Sequence, residues 1–307
     1  LGIAPKPLKY PLAFNFTAEA RRDRIFTHLT AGDMKLNLSA RSSLDKLIKQ
    51  SAHFADVLVK QIDKKELDHG ELREALPTAI FSMSAGKENP LAYYLATKDI
   101  AFHDVGVKFG TAPDWGINGK ASIHALKMDT LQLDTIYFTV KQDTTRMSFI
   151  NGPKNPQIVF KSSFAGEIRN DDAELTLRYE NAKGETGVLF GVNVRPLVEG
   201  NGKGDGLAFT LIPENPIIAF RKFHFVDHHN WIYLHKNMRL YANVDMADDE
   251  DMGFRIKSNR SDTVSLQNID VELQRIRLSE ISEVLPYLPD LSGLFSAEAN
   301  YVQTATS

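Results

Sequence analysis

A mainly β fold, antiparallel and built as a meander, is predicted by three features of this 307-residue sequence. From residue 99 onward, short segments with period-2 alternation follow one another at the spacing of successive strands. Turn-forming residues separate them, without the strand–helix–strand rhythm of a parallel sheet. The hydrophobic period lengthens to that of a helix over one long region, an insert at about 42–76, with short helical turns elsewhere.

Taken in order, Met34-Lys35-Leu36-Asn37-Leu38-Ser39-Ala40 alternates apolar and polar, as a half-buried strand does. Leu44, Leu47, Ile48, Phe54, Ala55, Leu58, Val59 and Ile62 then recur every three or four residues, forming an amphipathic stripe that Ser42 or Ser43 is placed to cap. Asp68 and Glu71 have capping-box spacing for a second helix, with Leu72, Ala75 and Leu76 on its apolar side and Pro77 as its stop. Asn89-Pro90 opens a third turn that runs through Leu95.

Strands dominate after that. Ile136, Phe138 and Val140 alternate with Thr135, Tyr137 and Thr139. Leu175, Leu177 and Tyr179 lead through Asn181-Ala182-Lys183-Gly184 into Val188, Phe190, Val192 and Val194. Phe209 and Leu211, the run Ile217–Val226, Trp231–His235, Leu240–Val244 and Phe254–Ile256 continue the series. Ile269, Val271 and Leu273 share one parity, whereas Ile276 and Leu278 take the other. A bulge or sharp bend is predicted there, because a one-residue slip moves every later side chain to the opposite face. The expected organisation is leading strands over 1–41, the helical insert and a short connector over 42–95, and a repetitive β segment over 96–307.

With 43% hydrophobic residues the chain is a folded one, and its net charge of -3 lacks the basic excess of a nucleic-acid partner. Cysteine is absent, which excludes a thiol nucleophile, a disulfide framework and cysteine-bound zinc. The opening LGIAPKPLKYPLAF has neither an initiator Met nor a charged-then-apolar signal segment, and no apolar run approaches the roughly 20 residues of a spanning helix. The chain is therefore expected to be a piece of a longer protein, with any anchor or export signal outside it.

The stretch LSEISEVLPYLPDLSGLFSAEANY, residues 278–301, combines several of these signals. Ser279 is placed to cap a helical turn containing Ile281, Val284 and Leu285, which Pro286 and Pro289 end. Leu291–Tyr301 then resumes as a strand with Phe295, Ala297, Ala299 and Tyr301 on one face. NIDVELQRIRLSEISEVLPYLPDLSGLFSAEANY resembles the recurring element of TamB-type proteins in the AsmA-like superfamily: an alternating strand, an L-x-x-[IL] turn, an LP-x-LPDLSG connector and a small-residue strand. LYANVDMADDEDMGFRIKSN is similar to the same relatives, as is SSLDKLIKQSAHFADVLVKQIDKKELDHGELREALP with its following NPLAYYL. The helical insert departs from the family's usual all-β repeat.

The resemblance implies an elongated, twisted sheet folded lengthwise into an apolar groove. It implies a translocation-and-assembly-module protein, anchored in the inner membrane by an N-terminal segment and crossing the periplasm. Phospholipid acyl chains are the implied cargo and an Omp85-type (TamA-like) outer-membrane barrel the implied partner. The implied roles are phospholipid movement between membranes and support of outer-membrane protein assembly.

Water is a barrier to lipids because exposing each acyl methylene costs about 0.8 kcal/mol, and an apolar trough removes most of that cost. It needs one greasy sheet face and one polar face. Leu36 and Leu38 against Lys35 and Asn37 offer this, as do Leu175 and Leu177 against Glu174 and Arg178, and Leu240, Ala242 and Val244 against Arg239, Asn243 and Asp245. The same alternation serves the core of a plain β-sandwich, which stays open as a reading. The candidate wall is Leu175, Leu177, Phe190, Val192, Phe209, Leu211, Leu240, Val244, Val271 and Leu273. The helix at 44–62 either caps the end of the sheet or lies in the trough mouth as a removable plug, with Leu47, Phe54, Leu58 and Ile62 in the place of lipid.

No catalytic residue, cofactor or metal is assigned. His224 and His235 fall on strands while Asp227, His228 and His229 sit in a turn, without ligand spacing on one face. DMADDEDMGF lacks the ligand order of an EF-hand and reads as an acidic hairpin loop. EGNGKGDG, at 199–206, lacks the elements of a phosphate loop and reads as a flexible connection. Scattered carboxylates leave a carbohydrate-active or carbohydrate-binding β protein as the alternative, and a purely structural spacer as a third reading.

Overall fold

The computed structural model describes residues 13–304 apart from 65, 129–130, 156–159, 200–201, 228, 237, 260, 263 and 285–288. The fold is mainly β, as the alternation predicts: the strands are antiparallel, the sheet is not closed into a barrel, and four helices occur among the described residues. The chain divides into two compact units, Leu1–Asn170 and Asp171–Ser307.

In chain order the first unit contains β1 (Phe14–Ala20), β2 (Ile25–Ala31), β3 (Met34–Ala40), α1 (Leu44–Asp63), α2 (His69–Glu74), β4 (Ala79–Ala85), α3 (Pro90–Ala96), β5 (Ile100–Ala101), β6 (Asp104–Ala112), β7 (Gly116–Met128), β8 (Leu131–Gln142), β9 (Arg146–Asn155) and β10 (Phe160–Arg169). Its strands pair in the order β1-β2-β3-β4-β6-β7-β8-β9-β10, with β5 on the end of β7. The segment 42–95 thus holds three helices with strand β4 among them.

The helix ends follow their capping residues. Ser43 Oγ accepts from Lys46 N at 3.3 Å, Asp68 Oδ1 from Glu71 N at 3.0 Å, and Asn89 Oδ1 from Ala92 N at 2.9 Å. Helices α1 and α2 share a cluster of Val57, Leu72 and Ala75 with Phe54, Leu58 and Leu67. Hydrogen bonds tie α2 and its flanks to the strand ends: Arg73 Nε donates to Pro113 O at 3.2 Å, Thr111 Oγ1 to Pro77 O at 2.7 Å, and Leu67 N to Asn170 O at 2.8 Å.

The second unit contains β11 (Ala173–Glu180), β12 (Thr186–Glu199), β13 (Gly202–Ile218), β14 (Arg221–Lys222), β15 (His224–Phe225), β16 (Trp231–His235), β17 (Leu240–Ala247), β18 (Gly253–Ser258), β19 (Gln267–Arg277), α4 (Leu278–Val284) and β20 (Leu294–Gln303). The pairing order is β11-β12-β13-β16-β17-β18-β19-β20, with β14 folded onto β13 and β15 added to β17. The predicted irregularity falls between Leu273 and Ile276, where the β19–β20 register shifts.

Three local expectations are corrected. The run Ile217–Val226 is not one strand: Ala219 and Phe220 take φ of 51° and 63°, and this left-handed turn splits it into the end of β13, β14 and β15. Gly202–Gly206 belongs to β13, because the end of β12 supplies its ladder partners, so the glycine-rich stretch is largely strand and not a loose connection. Ser279 is no cap, since α4 begins one residue before it. Leu285 and Pro286, read as the end of that turn, lie outside the described residues.

Candidate functional site

Direct partners in an antiparallel ladder project to the same face, so the register sorts the side chains. In the second unit one face carries the rows Leu175–Val192–Leu211, Leu177–Phe190, Val194–Phe209–Ile232–Ala242, Val244–Ile256–Val271–Ala299 and Met246–Phe254–Leu273–Ala297. Leu240, two residues from Ala242, shares it. All ten candidate wall residues therefore lie on one face. The opposite face is polar: Arg255 donates from Nε to Asp245 at 3.0 Å and from Nη1 to Glu272 at 2.8 Å, Lys257 Nζ lies 3.0 Å from Asp245, and Asn300 Nδ2 donates to Asp270 at 2.7 Å.

Covering of the apolar face is uneven. Val244 has no exposed surface and sits in a packed cluster with Phe223, Phe225, Met246 and Met252. Leu177 is 46% exposed, and the other eight candidates are half-buried. The face passes from a sealed cluster at β17 to open surface at β11.

The first unit has the same two-faced construction. Its apolar row runs Phe16–Leu29–Leu36–Met83–Val107–Ala121–Phe138 across seven strands. Next to it stands a ladder of rings that sequence reasoning missed: Phe109–Phe138, Phe138–Phe149 and Phe149–Phe164, with centroids 6.3, 6.4 and 5.7 Å apart. Small residues opposite make room for it, since Phe109 faces Gly119, Phe138 faces Ala121 and Phe149 faces Gly166. The signal was a glycine or alanine at apolar parity, but only the register shows which phenylalanine it serves.

Of the four residues read as a plug, Phe54 and Leu58 pack into the α1–α2 cluster, Leu47 is half-buried and Ile62 is exposed. A helix that packs on the apolar face of the first unit is α3: its Leu91, Ala92 and Leu95 join the cluster of Ala85, Phe102, Val105 and Leu126, against which Met83 and Val107 also pack.

The polar constellations are structural in their contacts. Asp248 Oδ1 accepts from Glu250 N and Met252 N at 2.8 Å each, and its Oδ2 from Arg221 Nη1 at 3.1 Å. Arg221 Nε donates to Glu280 at 2.6 Å, and this bond above all pushes the guanidinium pKa further up. Asp227 accepts from His229 N and Asn243 Nδ2, which lowers its pKa, in a turn where His229 is exposed. His224 lies in β15 and His235 in β16, where its ring meets Tyr241 edge-on at 5.4 Å; His228 is outside the described residues. Among the described residues no group of three His, Asp or Glu side chains is arranged to hold a metal ion, and no helix is long and apolar enough to cross a membrane.

No protein-family model matches the chain, and no curated protein or solved structure matches it.

Proposed function

We propose that this chain is a non-catalytic β module that shelters lipid acyl chains along its apolar sheet face. The reading places it in a TamB/AsmA-like envelope protein of the periplasm, held in the inner membrane by a segment outside this sequence. It would work with an Omp85-type barrel in inter-membrane phospholipid transport or outer-membrane protein assembly. The observation that carries it is the run of apolar side chains continuous from strand to strand, sealed at β17 but half-buried or exposed along the other strands, and backed by a charged opposite face. An exposed apolar band of this kind lowers the cost of an acyl chain at about 0.8 kcal/mol per methylene withdrawn from water.

The test is mass spectrometry of organic extracts from the purified chain, its Leu177→Asp variant, and Thr176→Asp, which puts the same charge on the polar face. Co-purifying phospholipid that falls at least several-fold in Leu177→Asp alone supports the reading. Lipid-free wild-type protein, or equal lipid in all three, overturns it.

One observation favours a second reading. On the polar face Trp231 stacks on Tyr233 at 4.4 Å, with Tyr241 beside them and Arg239 over the Tyr241 ring, a grouping suited to carbohydrate. Saturable change of tryptophan fluorescence on titration with oligosaccharides, lost in Trp231→Ala, would establish it; an unchanged signal removes it.

A further inference from the structure

Among the described residues, strand β1 is an edge of the sheet. All seven of its residues are exposed, with Phe14 at 67% and Phe16 at 62%, and β2 is the strand paired with it. Among the described residues no strand lies along its other side. Natural edges are blunted by Pro, Lys or a bulge, yet FNFTAEA contains none of these and one charge, Glu19.

The phase of the ladder shows which groups face outward. Gly32 N donates to Ala13 O at 3.2 Å, one step beyond the pair Phe14–Ala31. Bonded pairs alternate along an antiparallel ladder, so odd-numbered residues bond to β2. The N–H and C=O groups of Phe14, Phe16, Ala18 and Ala20 point to the open edge.

We infer that β1 pairs antiparallel with β1 of a second copy of this chain, about a two-fold axis at Thr17. That register sets Phe14 against Ala20, Asn15 against Glu19, Phe16 against Ala18, and Thr17 against its own counterpart. Outward groups then meet outward groups, and the apolar faces of both copies fall on the same side. Every phenylalanine meets a small residue, as Phe109 meets Gly119, Phe138 meets Ala121 and Phe149 meets Gly166 on one side of each strand, although Phe109 pairs with Phe81 on its other side. A slip of one residue would oppose outward to inward groups, and a slip of two in one direction would put Phe16 on Phe16.

The other exposed edge fits β1 worse. Leu278 N donates to Gly293 O at 3.1 Å, so the outward groups of β20 belong to Leu294, Ser296, Glu298, Asn300 and Val302, of which the middle three are polar. A bonded antiparallel pairing with β1 would set these polar residues on the side of Phe14 and Phe16. The isologous contact is short, seven residues per copy, so association depends on concentration. It does not depend on the lipid reading.

The absence of cysteine makes the test direct. Thr17 lies at a non-hydrogen-bonded pair, where Cα atoms approach to about 4.5 Å, within reach of a disulfide. Thr17→Cys is expected to form a disulfide dimer under mild oxidation. Asn15→Cys alone should not, whereas Asn15→Cys mixed with Glu19→Cys should. Sedimentation equilibrium of the unmodified chain should show a mass rising toward twice that of one chain. Ala18→Pro, which removes an outward N–H not bonded to β2, should stay at single mass with an unchanged circular dichroism spectrum. A wild-type monomer at all concentrations, a dimer that persists in Ala18→Pro, or Asn15→Cys linking to itself as readily as Thr17→Cys would each overturn the inference.

Discussion

Phe109 and Gly119 are direct partners across β6 and β7, and a Cβ on Gly119 would occupy the space of the Phe109 ring. The glycine thus lets one ring lie over β7 toward Phe138, two strands away. Gly119→Val should destabilise the first unit by about 1–3 kcal/mol through overpacking. Urea unfolding measures it, and Gly119→Val with Phe109→Ala should cost less than the sum of the two single changes, because they share one space.

Val244 and Leu177 sit on one face but in opposite surroundings, sealed and open. Val244→Ala should cost about 2–3 kcal/mol, since the cluster around it cannot fill the cavity. Leu177→Ala should stay below about 1 kcal/mol. Thermal or urea unfolding of the two variants distinguishes them.

His69 is almost fully buried and held in one tautomer. Gln142 Oε1 accepts from Ile117 N at 3.1 Å, which turns Gln142 Nε2 toward His69 Nδ1 at 3.3 Å, while His69 Nε2 donates to Ile168 O at 2.9 Å. Burial, the largest influence, lowers the imidazole pKa despite the nearby carboxylates of Asp143 and Asp68, which raise it. Asp143 is itself held at about 2, chiefly by the backbone N–H of Thr145. The unfolded chain therefore binds the extra proton first: stability is complete above the unfolded value of about 6.5 and declines as pH falls through the lower folded value. Melting temperatures measured from about pH 8 to about pH 5 should show this decline, and His69→Gln should remove its share of the slope.

Arg221 neutralises Asp248, whose side chain is 3% exposed. Arg221→Met should cost about 2 kcal/mol, less than the 3–5 of a wholly buried pair because Arg221 keeps some contact with water. Adding Asp248→Asn should recover part of the loss, as Asn Oδ1 still accepts from Glu250 N and Met252 N. Urea unfolding of the single and double variants checks both.

Much of the fold was legible where a signal is local. Ser43, Asp68 and Asn89 cap the helices they precede, the parity change after Leu273 became a register shift, and the ten candidate residues share a face. Legibility stopped where a partner lies far along the chain. Ala219 and Phe220 carry no turn signature, yet they turn left-handed and break the run Ile217–Val226. Gly202–Gly206 looked loose and is strand because β12 pairs with it. The stripe of α1 left both a sheet-end cap and a plug open, and no local signal singled out the shorter α3 as a helix that packs on the apolar face.

By itself, then, the sequence determined the mainly β class, the parity of each strand and the ends of the helices, because these depend on neighbours within a few residues. The tertiary structure alone decided that Val244 is sealed and Leu177 open, that four phenylalanines form a ladder over small residues, and that His69 is buried against Gln142. Burial and register are properties of strands brought together from distant parts of the chain, and alternation along one strand carries no record of what lies across from it.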